Sequence, residues 1–312
     1  METWKGLIGL LLKEQMSELS VLIPNRNSQF TNKTIQSVLD NAGCDVEVIV
    51  NVDEKWCLPL STDKRVTYLH PAYPKGLRQA INNMVALAKG KYIMKIDDHC
   101  LVSSNFGRVL IDSHRPHWVQ IPRRYALDAE NWKIGNEGDS KYPIDAMSLC
   151  FPFKDKAHDW GSHGVPWKAR REERKDVLID DEMSMQGSCY FMEKDHFVNF
   201  LGGLSEEGYG QFSQEAQEIC NKTWLGGGDV KRNKKVHYAH LHKGNRYGRM
   251  YKMPGGTAEA SNWSAYYWME NKWEGRKHDM KWLIEKFWPV PGWPDNWQEV
   301  WDKQVKEGWP NI

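Results

Sequence analysis

The segment that decides the fold is residues 91–100, which read Lys-Tyr-Ile-Met-Lys-Ile-Asp-Asp-His-Cys. Its first part, Lys91–Ile96, is mostly apolar and predicts a buried β-strand. Two carboxylates and an imidazole, Asp97, Asp98 and His99, follow directly at the end of this strand. Burying unpaired acids is unfavourable, so we expect such a cluster to have a binding partner.

A divalent metal ion that carries a phosphate is one partner for this cluster. Carboxylate oxygen and imidazole nitrogen are suitable ligands for Mn²⁺, and a diphosphate can supply the remaining ligands. The alternative interpretation is a polar turn that caps the next helix.

The residues before this segment alternate between strand and helix patterns. The predicted strands are Leu19–Pro24, Val46–Val52 and Arg65–Leu69, and the predicted helices are Thr31–Ala42 and Gly76–Lys89. This alternation predicts an α/β fold with an open parallel sheet and helices on both faces. Asn25, Asp53 and Asp97 each fall at the carboxyl end of a strand. Because ligands bind outside those ends in such sheets, we expect the three side chains in one site.

Beyond residue 100 the pattern becomes irregular before it recovers. Residues 122–182 have little periodicity and are rich in Gly, Pro and charge. Later elements are predicted at Gly187–Glu193, Ser213–Trp224 and Val236–Leu241, and tryptophans dominate the end of the chain. The sequence therefore predicts three parts: an N-terminal extension at 1–18, a main domain at 19–250 and a Trp-rich C-terminal helical segment at 251–312 packed on that domain.

Composition narrows the class of protein. The 42 Lys and Arg residues balance 41 Asp and Glu residues, so nothing in the net charge demands nucleic acid or an anionic membrane. Six cysteines without paired spacing are typical of reduced thiols in a cytoplasmic protein. The apolar run Gly6–Leu12 is too short to span a bilayer and lacks the flanks of a signal peptide. We expect no membrane span and no export.

Several short blocks follow one another in a recognisable order. They are Gly76-Leu77, Ala88-Lys89-Gly90-Lys91, Asp97-Asp98-His99-Cys100, Met185-Gln186-Gly187-Ser188, and Gln214–Ile219 followed by Trp224 and Gly227-Gly228. In this order and spacing they resemble the catalytic domain of the polypeptide N-acetylgalactosaminyltransferases, which are GT-A glycosyltransferases similar to glycosyltransferase family 2. The resemblance covers roughly residues 19–243. It implies a GT-A fold, a single Rossmann-like, mostly parallel sheet with helices on both faces.

The resemblance implies a metal site and a nucleotide-sugar donor. Asp97, His99 and His240 would hold Mn²⁺ or Mg²⁺ against the diphosphate of a UDP-sugar, where the metal offsets the charge of the leaving group. His242 is the alternative ligand if the strand register differs by two, since alternate residues share a face.

The resemblance also implies which residues contact the nucleotide. Pro24 and Asn25 would lie under it, Asp53 would accept a hydrogen bond from uracil or ribose, and Asp98 would contact the sugar or ribose. Two arginines complete the donor site. Arg78 stands near the position of the family's arginine, and Arg246, in the cationic stretch 243–249, would close over the diphosphate. A plain surface loop is the alternative for that stretch.

The stereochemical outcome depends on one pair of residues. Inverting relatives carry a Glu-Asp pair with a catalytic carboxylate at the head of the helix predicted at Ser213–Trp224. This chain has Glu215-Ala216 there, and Ala216 cannot accept a proton. We therefore expect retention of configuration, with Glu215 holding the donor sugar or the acceptor. Glu218 is a second candidate for that role. The alternative for both residues is a carboxylate that complements the helix dipole, and for Glu218 we favour it.

The acceptor and two other functions remain open at this point. The donor is UDP-N-acetylgalactosamine or a UDP-hexose, and the acceptor is a protein hydroxyl, a glycan or a hydroxymethylated base of DNA. The basic run Lys231–Lys235 favours the DNA alternative, which requires base flipping. A nucleotidyltransferase and an inactive sugar-binding protein are the competing classes. The first strand lacks the Gly-rich phosphate loop of a nucleotidyltransferase, and the complete set of metal ligands disfavours an inactive protein.

Overall fold

A computed structural model describes residues 17–135, 142–153, 163–242, 247–248 and 255–309. The strands are β1 Leu19–Asn25, β2 Val46–Val52, β3 Val66–Leu69, β4 Tyr92–Ile96, β5 Cys100–Val102, β6 Trp118–Asp128, β7 Lys133–Ile134, β8 Met147–Leu149, β9 Gly164–Pro166, β10 Ile179–Asp181, β11 Cys189–Glu193 and β12 Asp229–His240. The α-helices are α1 Thr31–Asn41, α2 Leu77–Leu87, α3 Phe106–Ser113, α4 Lys168–Glu173, α5 Glu215–Leu225, α6 Thr257–Met269, α7 Met280–Lys286 and α8 Trp297–Glu307. A short π-helix spans His196–Phe200.

One mixed sheet forms the centre of the described part of the chain. Its strand order is β10-β12-β6-β11-β4-β1-β2-β3, with β5 paired to β12 and β7 paired to β6. The four strands β4, β1, β2 and β3 are parallel, as the alternating pattern predicts. The predicted strand Val46–Val52 is confirmed residue for residue, because its apolar side chains are buried on both faces.

Beyond these four strands the sheet is mixed rather than wholly parallel. Strand β11 runs antiparallel to both of its neighbours, β4 and β6. This direction brings the loop before β11 to the carboxyl end of β4, where the Asp97 amide donates to the Ser188 carbonyl over 2.9 Å. The antiparallel strand therefore adds a further wall to the predicted site.

Two strands are longer than their sequence pattern predicts. The irregular stretch 122–182 begins inside β6, an eleven-residue strand, and β12 begins at Asp229 rather than at Val236. The sequence pattern does not predict this part of β12 because its residues are charged or polar. Arg232 is nevertheless buried against Glu182, and its strand neighbour Asn233 is buried as well. The register of β12 against β6 shifts between Asn233 and His237, which marks an irregularity within the strand.

The core has one layer on each face of the sheet. Helices α1 and α3 cover one face. Helices α2 and α5 cover the other, together with the C-terminal helices. Buried tryptophans connect these C-terminal helices to that core: Trp268, Trp293, Trp297 and Trp301. These four tryptophan rings therefore pack in the core, and the Trp293 indole also donates to the Leu149 carbonyl over 2.8 Å.

The N-terminal extension at 1–18 lies almost wholly outside the described residues. Within the described ranges, no helix combines the length and the apolar character that a membrane crossing requires. The boundaries drawn at residues 19, 250 and 251 remain predictions.

Candidate functional site

A pocket of about 820 Å³ opens at the carboxyl ends of the parallel strands. The sequence-predicted residues that line it are Pro24, Asn25, Asp53, Asp97, Asp98, His99, Glu215 and His240. These residues come from the ends of four strands and from the start of α5. The structure thus brings together side chains that lie up to 216 positions apart, from Pro24 to His240.

Three of these residues form a cluster that could hold a metal ion. Asp97 follows β4, His99 lies two residues further on, and His240 ends β12, where it pairs with Cys100 of β5. The ligand atoms of Asp97, His99 and His240 lie within 4.8 Å of one another. Burial lowers the pKa of His240 to about 3 against the opposing effect of Asp97, so the imidazole is neutral near pH 7. A neutral ring can offer a lone pair to a metal.

The donor set fits a divalent ion such as Mn²⁺. Two imidazoles and one carboxylate match the mixed nitrogen and oxygen ligands that this ion accepts. Asp98 orients one of these rings, since its Oδ1 lies 2.5 Å from His99 Nδ1. Its Oδ2 accepts a hydrogen bond from Asn25 Nδ2 over 2.9 Å. A carboxylate behind a ligating imidazole is the usual support of a metal site.

Lys95 is a central residue of the site that sequence reasoning missed. Its side chain is 2% exposed, and its Nζ lies 2.6 Å from Asp97 Oδ1 and 3.2 Å from Glu215 Oε1. Burial raises the pKa of Glu215, and the Lys95 ammonium opposes that rise. Lys95 thus supplies the positive charge that keeps two neighbouring acids together. The available signal was a single lysine inside the otherwise apolar strand β4.

Arg124 is the second residue of the site that sequence reasoning missed. It comes from β6, is 2% exposed and donates to Gln186, His240 and His242. Nothing in the sequence around Arg124 distinguishes it from neighbouring Arg123, which pairs with Asp145. Strand alternation places the two arginines on opposite faces, and only the fold shows which one approaches the pocket.

Asp53 lies at the pocket wall and also fixes the start of α2. Its two oxygens accept hydrogen bonds from the backbone amides of Lys75 and Gly76 over 2.9 and 3.2 Å. Gly76 has φ 83°, and a Cβ there would lie 2.5 Å from Gln211 Cβ. The Gly-Leu block therefore needs glycine for its backbone conformation and for a close approach.

Arg78 does not lie where the resemblance implied. It is fully buried, forms an ion pair with Glu218 and donates to the Ser213 carbonyl over 2.6 Å. Its guanidinium also lies over the ring of Tyr209 at 4.1 Å. Because the pocket wall does not include it, Arg78 supports the loop before α5 rather than facing a nucleotide.

Glu218 lies in the first turn of α5, as expected for a helix-end charge, and it also belongs to a buried ion-pair network. Its carboxylate is 1% exposed, and it pairs with Lys222 over 2.7 Å in addition to Arg78. The predicted contact of Arg246 lies outside the described residues. Of the stretch 243–249, residues 247 and 248 are described, and Gly248 lines the pocket.

Comparison with known proteins agrees with this architecture. Residues 20–155 match the family model "Glycosyl transferase family 2". The crystal structure of GalNAc-T7 with UDP, GalNAc and Mn²⁺ superposes with a TM-score of 0.63 at 20% sequence identity, covering 84% of this chain and 50% of that one. This chain therefore spans about half the length of that structure. The fold is that of a GT-A glycosyltransferase and resembles the catalytic domain of the N-acetylgalactosaminyltransferases.

A second structure is more distant. S. aureus TarS gives a TM-score of 0.47 at 11% identity, covering 72% of this chain and 37% of that one. A search of curated proteins gave no match.

Proposed function

We propose that this protein is a metal-dependent, retaining glycosyltransferase that moves a sugar from a UDP-sugar to an acceptor hydroxyl. One observation carries the proposal: the cluster of Asp97, His99 and His240 lies in the same pocket as Asn25 and Asp53. A metal ion held by the first three residues can bind the phosphates of a nucleoside diphosphate, and the polar strand ends can bind its nucleoside.

The proposed ion is Mn²⁺ or Mg²⁺, held by Asp97, His99 and His240. When bound, such an ion supplies positive charge next to the departing diphosphate. Two of these ligands need no change of protonation, because His240 is neutral and Asp97 is ionised near pH 7. Although burial alone would raise the pKa of Asp97, the Lys95 ammonium and the neighbouring histidines lower it well below its usual range.

Retention is supported by the state of the carboxylates that line the pocket. Inversion requires a carboxylate free to take the acceptor proton. Asp53 accepts two backbone hydrogen bonds, Asp97 pairs with Lys95 and His240, and Asp98 bonds Asn25 and His99. The remaining lining carboxylate, Glu215, lies beside the same lysine. Within the described part of the pocket, each carboxylate is thus already engaged.

The acceptor is proposed to be a hydroxyl of a protein or a glycan. Most side chains of the basic run Lys231–Lys235, which favoured DNA, are buried or paired with other residues of the protein. Lys231 pairs with Asp181 over 2.5 Å, Arg232 is buried, and Lys234 donates to the Arg174 carbonyl over 2.6 Å. These contacts leave the run without the open cationic surface that duplex binding needs.

Release of UDP from a panel of UDP-sugars tests the donor and the metal together. We expect turnover with UDP-N-acetylgalactosamine or a UDP-hexose in Mn²⁺ or Mg²⁺, and none after chelation. Asp97→Ala and His99→Ala should each abolish turnover and leave the far-UV circular dichroism spectrum unchanged. Turnover that survives chelation, or full activity in either variant, would contradict the proposed metal site.

Three further measurements separate the remaining alternatives. Proton NMR of the first-formed product reports the anomeric configuration, and an α-linked product from an α-linked donor confirms retention. Pyrophosphate released from UTP and a sugar 1-phosphate would instead indicate a nucleotidyltransferase. Flat dependence of acceptor affinity on salt concentration would argue against DNA.

A further inference from the structure

Arg124 lies directly behind the wall of the pocket. Its guanidinium donates to Gln186 Oε1, to His242 Nε2 and, over 3.1 Å, to His240 Nδ1. All three acceptors line the pocket, whereas Arg124 itself is 2% exposed. Its Nε has no hydrogen-bond partner within the described ranges, which is uncommon for a buried donor. Arg124 is therefore a buried cation with spare donor capacity next to the site.

The contact with Arg124 fixes which nitrogen of His240 carries a proton. A guanidinium can only donate, so Nδ1 must be the acceptor. The proton of the ring then lies on Nε2, which donates to Asp97 Oδ2 over 3.1 Å. A metal ion bound at Nε2 needs the lone pair of that nitrogen, and the proton then belongs on Nδ1. The N–H of Arg124 and the N–H at His240 Nδ1 would then face each other, so binding of the ion at Nε2 and the hydrogen bond from Arg124 to Nδ1 exclude each other.

The pocket is also short of positive charge for an anionic donor. The ionisable lining residues other than histidine, among those described, are the acids Asp53, Asp97, Asp98 and Glu215 and the cations Arg26 and Lys95. Both cations are engaged, since Arg26 pairs with Glu54 and Lys95 lies between Asp97 and Glu215. A divalent ion would balance the excess of acids, and a diphosphate would add negative charge again. Among the described residues, Arg124 is a further buried cation that donates to side chains of the pocket wall, so it can supply positive charge for the diphosphate.

We propose that Arg124 is an additional donor-binding residue, which releases His240 when the metal ion enters and turns its guanidinium to the diphosphate. The inference rests on the proposed function, because it takes Asp97, His99 and His240 as the metal site. The planar fork of arginine suits bidentate binding of phosphate oxygens. Arg124 then acts in two opposite senses. It weakens binding of the bare ion and strengthens binding of the nucleotide.

The variant Arg124→Met separates these two effects, because methionine fills space without donating. Binding of Mn²⁺ alone is measured from the free-ion electron paramagnetic resonance signal. Binding of UDP, and of uridine as the matched ligand without a diphosphate, is measured by calorimetry at saturating Mn²⁺. We expect Mn²⁺ to bind about tenfold tighter to the variant and UDP about tenfold more weakly, the scale of one hydrogen bond to a charged group. Uridine should bind as it does to the wild type.

The control is Arg108→Met, which removes the same charge from a half-exposed site where Arg108 pairs with Glu18. It should leave all three affinities unchanged. Weaker Mn²⁺ binding by Arg124→Met would overturn the inference, since Arg124 would then support His240 rather than compete for it. Unchanged UDP binding would overturn it equally. If the wild type binds Mn²⁺ and UDP, these failures concern Arg124 alone; if it binds neither, the proposed function fails with them.

A measurement on the wild type keeps the inference testable if Arg124→Met does not fold. Long-range ¹H–¹⁵N spectra report which nitrogen of a histidine ring carries the proton. For His240 we expect the proton on Nε2 in metal-free protein and on Nδ1 after saturation with Mg²⁺. A proton on Nδ1 before metal is added would contradict the competition.

Discussion

The ammonium of Lys95 lies 2.6 Å from Asp97 Oδ1, on the side of the carboxylate away from His240. The other oxygen, Oδ2, faces His240 Nε2 at 3.1 Å. One oxygen of Asp97 is thus held by a fixed charge, while the other points towards the proposed metal ligands. Since Lys95 also reaches Glu215 at 3.2 Å, a single buried side chain links the end of β4 to the start of α5.

Removing that charge should destabilise the fold. We expect Lys95→Met to lower the free energy of unfolding by about 3 kcal/mol, because breaking a buried pair leaves its acids uncompensated. Urea unfolding measures the change. The double variant Lys95→Met/Glu215→Gln removes one of the two acids and should recover part of the loss. A single variant as stable as the wild type would show that Lys95 does not hold these acids together.

The two histidines at the end of β12 should differ in their effect on metal binding. His240 lies within the cluster with Asp97 and His99, whereas His242 does not belong to it. We expect His240→Ala to weaken Mn²⁺ binding by about a hundredfold or more, because loss of a ligand should cost at least as much as loss of an outer-shell partner. His242→Ala is the matched control and should bind Mn²⁺ within a fewfold of the wild type. The reverse order would mean that the ligand register is shifted by two residues.

Arg78 is expected to matter for stability rather than for donor binding. Its side chain is fully buried against Glu218, so Arg78→Met should lower the free energy of unfolding by about 3–5 kcal/mol. UDP affinity per folded molecule should change little. The exposed pair of Arg65 and Asp63 supplies the control, and Arg65→Met should change the free energy of unfolding by about 1 kcal/mol or less. A large loss of UDP affinity in folded Arg78→Met would restore its predicted role.

These residues show what a single sequence can predict. The strand before Asp97 was predictable because an apolar run ending in acids is a local pattern. The grouping of Asn25, Asp53 and Asp97 was predictable because parallel strands bring their carboxyl ends to one edge. The position of His240 required the resemblance as well, since neighbouring His242 has the same local pattern.

Other residues could not be placed from the sequence for a physical reason. Arg124 and Arg78 are cations whose partners lie far away in the chain, and Lys95 has one near partner, Asp97, and one distant partner, Glu215. The partner of Arg78, for example, is 140 positions distant. Burial of a cation depends on these partners, and a charged residue in an irregular sequence is usually exposed. The first half of β12 could not be predicted for the same reason, because a charged residue such as Arg232 is usually exposed and here it is buried.

Acidification should destabilise the protein through its buried histidines. Burial lowers the pKa of His114 to about 4 and those of His196 and His240 to about 3. An unfolded histidine has a pKa of about 6.5, so between these values the unfolded chain binds more protons and stability falls as the pH falls. Glu182, whose pKa burial raises to about 7, and Glu215 act in the opposite sense.

Three histidines outweigh these acids, and we expect a net loss of about 1 kcal/mol or more between pH 7 and 5.5. Urea unfolding at both pH values measures it. The variant His196→Gln removes one of the three groups, so its stability should fall by about 1 kcal/mol less over the same interval. An equal fall in the wild type and the variant would show that His196 takes up no proton on unfolding in this range.

Gly187 should control the position of Glu215 and, through it, catalysis. A Cβ at residue 187 would lie 2.6 Å from Glu215 Oε1 and 2.8 Å from its Cδ, so the buried carboxylate would have to move. We expect Gly187→Ala to reduce the rate of UDP release roughly tenfold or more, because small displacements in an active site are costly to catalysis. Binding of Mn²⁺ alone should change much less, since Glu215 is not one of the three proposed metal ligands. Gly255→Ala is the control, because a Cβ there meets no atom within 4 Å. Full activity in Gly187→Ala would show that the reaction tolerates displacement of Glu215 and would argue against its role in holding the donor sugar or the acceptor.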